Sequence, residues 1–331
     1  GPDDGTPLRQ RMRAASEHWV ELQGQGMAQM AAEIRVRQID ILVDAKGATA
    51  GSVMQAMAYR PAPVQVNWLG FPGTSGADYI DYLIGDPVVS PLAHAAHFSE
   101  CIAQMPLCYQ PNDSQRALPQ MQPRATWGLP EHALVLCGFH QSYKISRDVF
   151  AAWCRLLHAL PQAVLWLLRW NANVQSALTN AAVANGVDAS RLVFAPVLPA
   201  DQHLSRLSSA DVFLDTWPCN AHTTASEALW AGVPPVTVVG ETFAQRVAAS
   251  LLHASGLHEL ACRDVAQYEQ TVQQLAADPT RRDDLRNRLI AQRSHVLFDG
   301  VRFARDIEAL YQRMWARAVA GLPPEHLPAA H

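Results

Sequence analysis

Short apolar runs rich in Val, Ile and Leu alternate along the chain with longer segments of helical period. Nine runs read as strands: IDILVDA from Ile39, VQVNWLG from Val64, YIDYLIGD from Tyr79, CIAQMPL from Cys101, ALVLCGF from Ala133, AVLWLLR from Ala163, RLVFAPV from Arg191, DVFLDTW from Asp211 and PVTVVG from Pro235. Runs apolar on both faces suit a parallel sheet with helices on each side. The repeated strand-helix order therefore predicts an α/β chain.

One stretch breaks the pattern. From Gln110 to Pro130 the sequence QPNDSQRALPQMQPRATWGLP holds no sustained period and reads as an exposed connection. It sets a linker at 116–130 between a first unit, 1–115, and a second, 131–298. A helix over 299–320 and a Pro-rich tail, 321–331, expected to fray, follow. The second unit carries at least five strands. The first opens on the turn-like GPDDGTP and offers about four, fewer than a doubly wound domain usually has. It is read as partial, with its initial strands expected on a preceding segment.

Composition narrows the classes. The 331 residues exceed one ordinary core and suit two domains, and 49% hydrophobic residues exclude a disordered chain. With 26 Lys+Arg against 30 Asp+Glu, a net charge of -4 gives no basis for capture of nucleic acid or a membrane surface. No apolar run approaches the roughly 18 residues of a spanning helix, and no signal-peptide pattern is visible at the start. A cytoplasmic location is expected. Only 17% of residues are charged and nine are Trp, so part of the surface is expected to pack against a segment outside this sequence. The six cysteines form no CxxC pair and read as reduced thiols, not a zinc site.

Candidate chemistry gathers at strand ends. After DVFLDTW, the segment CNAHTTASEALW opens a helix at His222, Thr223 and Thr224. A helix N-terminus offers free N–H groups and a positive dipole to phosphate oxygens. The same residues also allow a capping box between Thr224 and Glu227. After ALVLCGF, GFHQSYKIS carries Lys144, one of two lysines in the chain, with Gln141 beside it. At the carboxyl edge of an open α/β sheet Lys144 would neutralise phosphate. In LPADQHLSRL, His203 and Arg206 share a helical face, as nucleotide contacts or simply as its polar side. In the first unit, FPGTSG from Phe71 is a glycine-rich loop that is neither a Walker A nor a GxGxxG, and His18 lies among apolar neighbours.

The segments RPAPVQVNWLGFPGTSG, GFHQSYKIS, LWLLRW, FAPVLPADQHLSRLSSADVFLDTWPCNAHTTASEALWAGVPPVT, GETFAQRVAASLL and LYQRMW together resemble the catalytic region of O-linked N-acetylglucosaminyltransferases, glycosyltransferase family 41. The resemblance runs from PDDGT to Trp315 and implies a GT-B fold, two Rossmann-like domains facing across a cleft, usually behind a tetratricopeptide array. It implies inverting, metal-independent transfer of GlcNAc from UDP-GlcNAc to Ser or Thr hydroxyls of proteins, with no cofactor. By the same resemblance, Lys144 contacts the diphosphate and supports departure of UDP, and Gln141 lies beside UDP. His203 and Arg206 match a pair near uracil and diphosphate. His222, Thr223 and Thr224 match a His-Thr-Thr at a helix start, and Glu227 stands in place of a ribose-binding Asp. Leu198 is assigned with them to the nucleotide sugar, Pro72, Gly73 and Thr74 to a sugar or acceptor loop, and His18 to the acceptor side as a candidate base. Two departures stand out. Ala200 replaces a lysine of animal members, and a family histidine expected near the start of the first domain is missing. Implied partners are UDP-GlcNAc, a protein acceptor and the preceding segment with its repeat array. Alternatives are a protein O-fucosyltransferase using GDP-fucose, a sugar-nucleotide epimerase of the same fold, and a UDP-binding module without transfer.

Overall fold

A computed structural model of the chain describes residues 4–330, so the start of GPDDGTP and the final residue of the tail lie outside the described residues. The chain divides into two units. One takes in the chain up to Gly85 with Leu92–Gln104 and Glu308–Ala330; the other takes in Asp86–Pro91 and Met105–Ile307.

The first unit carries helices α1 (Pro7–Ala15) and α2 (Met27–Val36) and a parallel sheet of β1 (Ile41–Asp44), β2 (Val64–Asn67), β3 (Tyr82–Gly85) and β4 (Cys101–Gln104). The strands lie in chain order, β1-β2-β3-β4, with Asp44 opposite Asn67 and Gly85 opposite Gln104. At the carboxyl ends of β1 and β2 the backbones nearly touch. A Cβ on Gly70 would stand 2.5 Å from the Ala45 carbonyl oxygen and 2.8 Å from Lys46 Cα. Both obstacles are main chain and cannot swing away. Gly70→Ala is therefore expected to destabilise the protein by about 2–4 kcal/mol, read as a lowered denaturation midpoint.

The tail does not fray. Leu327 bridges to Ala103; its N–H donates to the Ile102 carbonyl and its carbonyl accepts from Gln104 N–H, each at 2.8 Å. Ile102 N–H donates to His326 Nδ1 at 3.0 Å. β4 is the edge strand, with main-chain groups that need partners, and the tail supplies them despite its prolines.

In the second unit, β5 (Leu134–Gly138), β6 (Ala163–Leu168), β7 (Leu192–Ala195), β8 (Val212–Leu214), β9 (Pro235–Val238) and β10 (Ala261–Cys262) form one parallel sheet in the order β10-β9-β8-β5-β6-β7. Helices α3 (Arg147–Ala159), α4 (Ala172–Ala184), α5 (Ala200–Leu207), α6 (Thr223–Ala231), α7 (Val247–Ala254), α8 (Val265–Ala277) and α9 (Pro279–Ala291) alternate with these strands or follow them. α10 (Gly300–Val319) is shared between the two units. The chain winds outward from β5 to β7 on one side and from β8 to β10 on the other. Its order reverses between β5 and β8, the position where doubly wound sheets open a ligand crevice.

The stretch read as an exposed connection is exposed over most of its length, and a few bonds tie it down. Arg124 makes two bonds to the Asp211 carboxylate at 2.9 and 2.8 Å, Trp230 Nε1 donates to the Ala117 carbonyl at 2.9 Å, and Gln120 N–H donates to Ser205 Oγ at 3.0 Å. Gln110 and Asn112 are buried. Side chains of the second unit take up main-chain groups that the sequence pattern left unassigned. All six cysteines are free, four of them buried. No helix of the described residues is long and apolar enough to cross a membrane.

Candidate functional site

β5 and β8 end side by side, and each feeds a loop that carries candidate residues. After β5 come Phe139, His140 and a single 3-10 turn, Ser142–Lys144. Gly138 is needed at that strand end because a Cβ there would meet the Trp153 ring at 2.9 Å. The turn directs the Lys144 ammonium to the Asn220 carbonyl, 2.7 Å away. Asn220 belongs to the loop after β8, which runs straight into α6. The lysine and the helix start, 76 or more positions apart in sequence, thus share one place.

α6 begins with no side chain over its end: His222 is the N-cap residue and makes no capping hydrogen bond. Thr223 is exposed and Thr224 half-buried. The capping box that the sequence allowed is not formed. Glu227 instead places its carboxylate 3.5 Å from His203 Nε2. The first-turn N–H groups and the dipole of α6 are left for an external acceptor, with Lys144 alongside.

A second group surrounds His203. Arg206 is only 1% exposed. Its guanidinium lies over the Phe139 ring at 4.7 Å, donates to the Pro196 carbonyl, and donates to His203 Nδ1 at 2.9 Å. An arginine only donates, so His203 Nδ1 is the acceptor, and the neutral ring carries its proton on Nε2, toward Glu227. The ring also stands 5.6 Å from Phe139. Burial pushes the Arg206 guanidinium down to about 10. Arg206 thus holds His203 in orientation and does not itself face solvent. Leu198, just ahead of α5, is half-buried, and Gln141 is exposed at the start of the Lys144 turn.

Burial shapes the charges here. His222 is pushed down to about 4 by burial and then by the neighbouring Lys144 ammonium, so it is neutral at pH 7. Its Nε2 faces the Ala244 carbonyl at 3.5 Å. His140 is likewise pushed down to about 4, chiefly by burial, and its Nε2 donates to the Leu214 carbonyl at 2.6 Å. Lys144 therefore stands among neutral rings.

The remaining candidates belong to the first unit. In the FPGTSG loop, Thr74 Oγ1 donates to Glu100 Oε2 at 2.7 Å, Ser75 N–H donates to Glu100 Oε1 at 2.7 Å, and Asn67 Nδ2 donates to the Gly73 carbonyl at 3.2 Å. Pro72, Gly73 and Thr74 thus sit on a loop clamped by a buried carboxylate. His18 is exposed between α1 and α2. Sequence reasoning missed Asp215 and Asn220 in the loop after β8, although the strand-end aspartate in DVFLDTW was a signal that could have led to the first.

The model of a known family, described as glycosyl transferase family 41, matches residues 1–127 and 112–307. The chain belongs to glycosyl transferase family 41. Within the family, it is 38% identical over 98% of its length to "Probable UDP-N-acetylglucosamine--peptide N-acetylglucosaminyltransferase SEC" of Arabidopsis thaliana, and 30% identical, also over 98%, to the UDP-N-acetylglucosamine--peptide N-acetylglucosaminyltransferase of Caenorhabditis elegans. It spans 34% and 38% of those two proteins. Among solved structures, a mutant of Thermobaculum terrenum O-GlcNAc transferase is 32% identical with a TM-score of 0.88, covering 95% of this chain and 60% of that one. Sucrose-phosphate synthase from Thermosynechococcus elongatus, 13% identical with a TM-score of 0.59, shares the fold. The parallel-sheet α/β architecture of this family 41 chain is of the GT-B type.

Proposed function

We propose that this family 41 chain is the catalytic region of a protein O-GlcNAc transferase, moving GlcNAc from UDP-GlcNAc to Ser or Thr hydroxyls of proteins with inversion and without a metal ion. The observation that carries the reading is the uncapped start of α6 beside Lys144 at the β5/β8 reversal. A sugar nucleotide needs positive charge at its diphosphate, most of all as UDP departs and charge builds on the leaving oxygen. One ammonium and the first-turn N–H groups at Thr223 and Thr224 supply it in place, with no reorganisation at the moment of reaction. The neutral His222 ring adds a polar edge without competing charge. His203, oriented by Arg206, takes the base, and Glu227 accepts from ribose hydroxyls; Gln141 and Leu198 complete the donor site. On the first unit, the loop at Pro72, Gly73 and Thr74 is assigned to sugar or acceptor. His18 is assigned to the acceptor hydroxyl, as its base or its positioning group. Acceptor choice is assigned to a tetratricopeptide array of the kind that family resemblance implies, and the cytoplasm is the proposed location.

Calorimetric titration with UDP and GDP tests the donor. UDP is expected to bind at least about tenfold more tightly than GDP, a difference of about 1.4 kcal/mol. Preference for GDP would replace GlcNAc transfer with fucosyl transfer. With UDP-GlcNAc and an acceptor protein, mass spectrometry should then find one added N-acetylhexosamine per modified hydroxyl.

A further inference from the structure

Asp215, at the end of β8, is fully buried, yet it lies outside every role assigned so far. Both carboxylate oxygens are engaged. Oδ1 accepts from Thr216 N–H at 2.7 Å and from Ala221 N–H at 2.6 Å; Oδ2 accepts from Thr237 Oγ1 on β9 at 2.6 Å. The first two bonds seize the loop at its beginning and its end, and the third pins it to the neighbouring strand. Inside the loop, Thr216 Oγ1 donates to the Cys219 carbonyl at 2.8 Å and Asn220 Nδ2 donates to the Thr216 carbonyl at 2.9 Å.

Two outputs leave this loop. One is the Asn220 carbonyl that holds the Lys144 ammonium. The other is Ala221, which leads directly to His222 and the first turn of α6. Any displacement of the carboxylate moves the cation and the helix start together. We propose that Asp215 is a positioning residue of the nucleoside diphosphate site, its carboxylate fixing the loop that aligns Lys144 with the N-terminus of α6. The proposal rests on the donor-site reading above and adds the group that sets its geometry.

The surroundings explain why an acid is tolerated there. Burial pushes the Asp215 carboxyl up to about 7, against the lowering effects of Thr237, the two loop amides and Lys144. From α8, the Tyr268 hydroxyl donates to the Asp215 carbonyl at 3.3 Å, and its own ionisation is pushed far up by burial. His222 is neutral, and the Lys144 ammonium helps to lower this carboxyl. A neutral carboxyl can keep Oδ1 as the acceptor of both loop amides while Thr237 turns to accept. An amide preserves the same pattern, with Oδ1 accepting from the loop and Nδ2 donating to Thr237.

The test compares UDP titrations of wild type, Asp215→Asn, Asp215→Ala and Thr237→Val. Asp215→Ala is expected to weaken UDP at least about tenfold and Thr237→Val about threefold, with Asp215→Asn within about threefold of wild type. Binding stoichiometry separates positioning from folding. A merely structural role lowers the number of competent sites and leaves the dissociation constant of the remainder unchanged, and that outcome overturns the proposal. Equal weakening in Asp215→Asn and Asp215→Ala also overturns it, because charge and not loop geometry would then be what matters. If Asp215→Ala does not fold, Thr237→Val decides: unchanged UDP affinity there, with wild type binding normally, overturns the positioning role alone. If wild type binds no UDP, the donor-site reading falls and takes this one with it.

Discussion

Lys144→Met is expected to lower transfer by about three orders of magnitude while the protein stays folded. Methionine keeps most of the length and apolar bulk of the lysine stem and removes only the ammonium. That ammonium donates to the Asn220 carbonyl at 2.7 Å, and the turn carrying it is partly open to solvent. Little stability depends on it, so circular dichroism and the thermal midpoint should match wild type. Under the proposed function, departure of UDP is expected to depend on it much more, because the remaining donors at the start of α6 are neutral. The measurement is turnover with UDP-GlcNAc and an acceptor protein, followed by mass spectrometry. Turnover at the wild-type rate would remove Lys144 from the mechanism.

Arg206→Met should damage both folding and nucleotide affinity, in contrast to Lys144→Met. The guanidinium is buried over Phe139, holds the Pro196 carbonyl and fixes His203 Nδ1. Methionine fills part of the space but leaves the Pro196 carbonyl and the half-buried His203 Nδ1 without their donor. The expected cost is about 2–4 kcal/mol of stability. With its tautomer and orientation released, His203 should hold the base less well, and UDP affinity should fall by about tenfold or more. Thermal denaturation and calorimetry on the folded fraction check the two effects separately. Unchanged UDP affinity in a destabilised protein would confine Arg206 to the core.

Much of this was legible in the sequence, for identifiable reasons. All nine apolar runs form strands, because a strand covered on both faces is mostly apolar, and that leaves a plain trace. β10 escaped because its two residues, Ala261 and Cys262, are too few to show any period. The start of α6 and Lys144 were legible because each lies on the short segment that follows a strand. Arg206 was read as a ligand contact, yet spacing on α5 cannot distinguish an arginine on the open face from one turned under it. Asp215 was passed over because its three donors come from three places in the chain, Thr216, Ala221 and Thr237, which only the folded sheet brings together. Composition predicts a frayed tail and an exposed connection from Gln110 to Pro130, and shows none of the bonds that anchor either. Their order comes from partners far away in sequence, which composition does not record.

The tail on β4 also bears on how the chain is made. Its last residues complete the ladder of a strand synthesised more than two hundred positions earlier. The intervening second unit, whose sheet closes by Cys262, is available to fold while the first still lacks its edge. A contact of such long sequence separation is costly to close and forms slowly. During translation the first unit must therefore wait, with β4 uncovered, until the segment around His326 and Leu327 has been made. Of the two units, the one begun earlier is completed later.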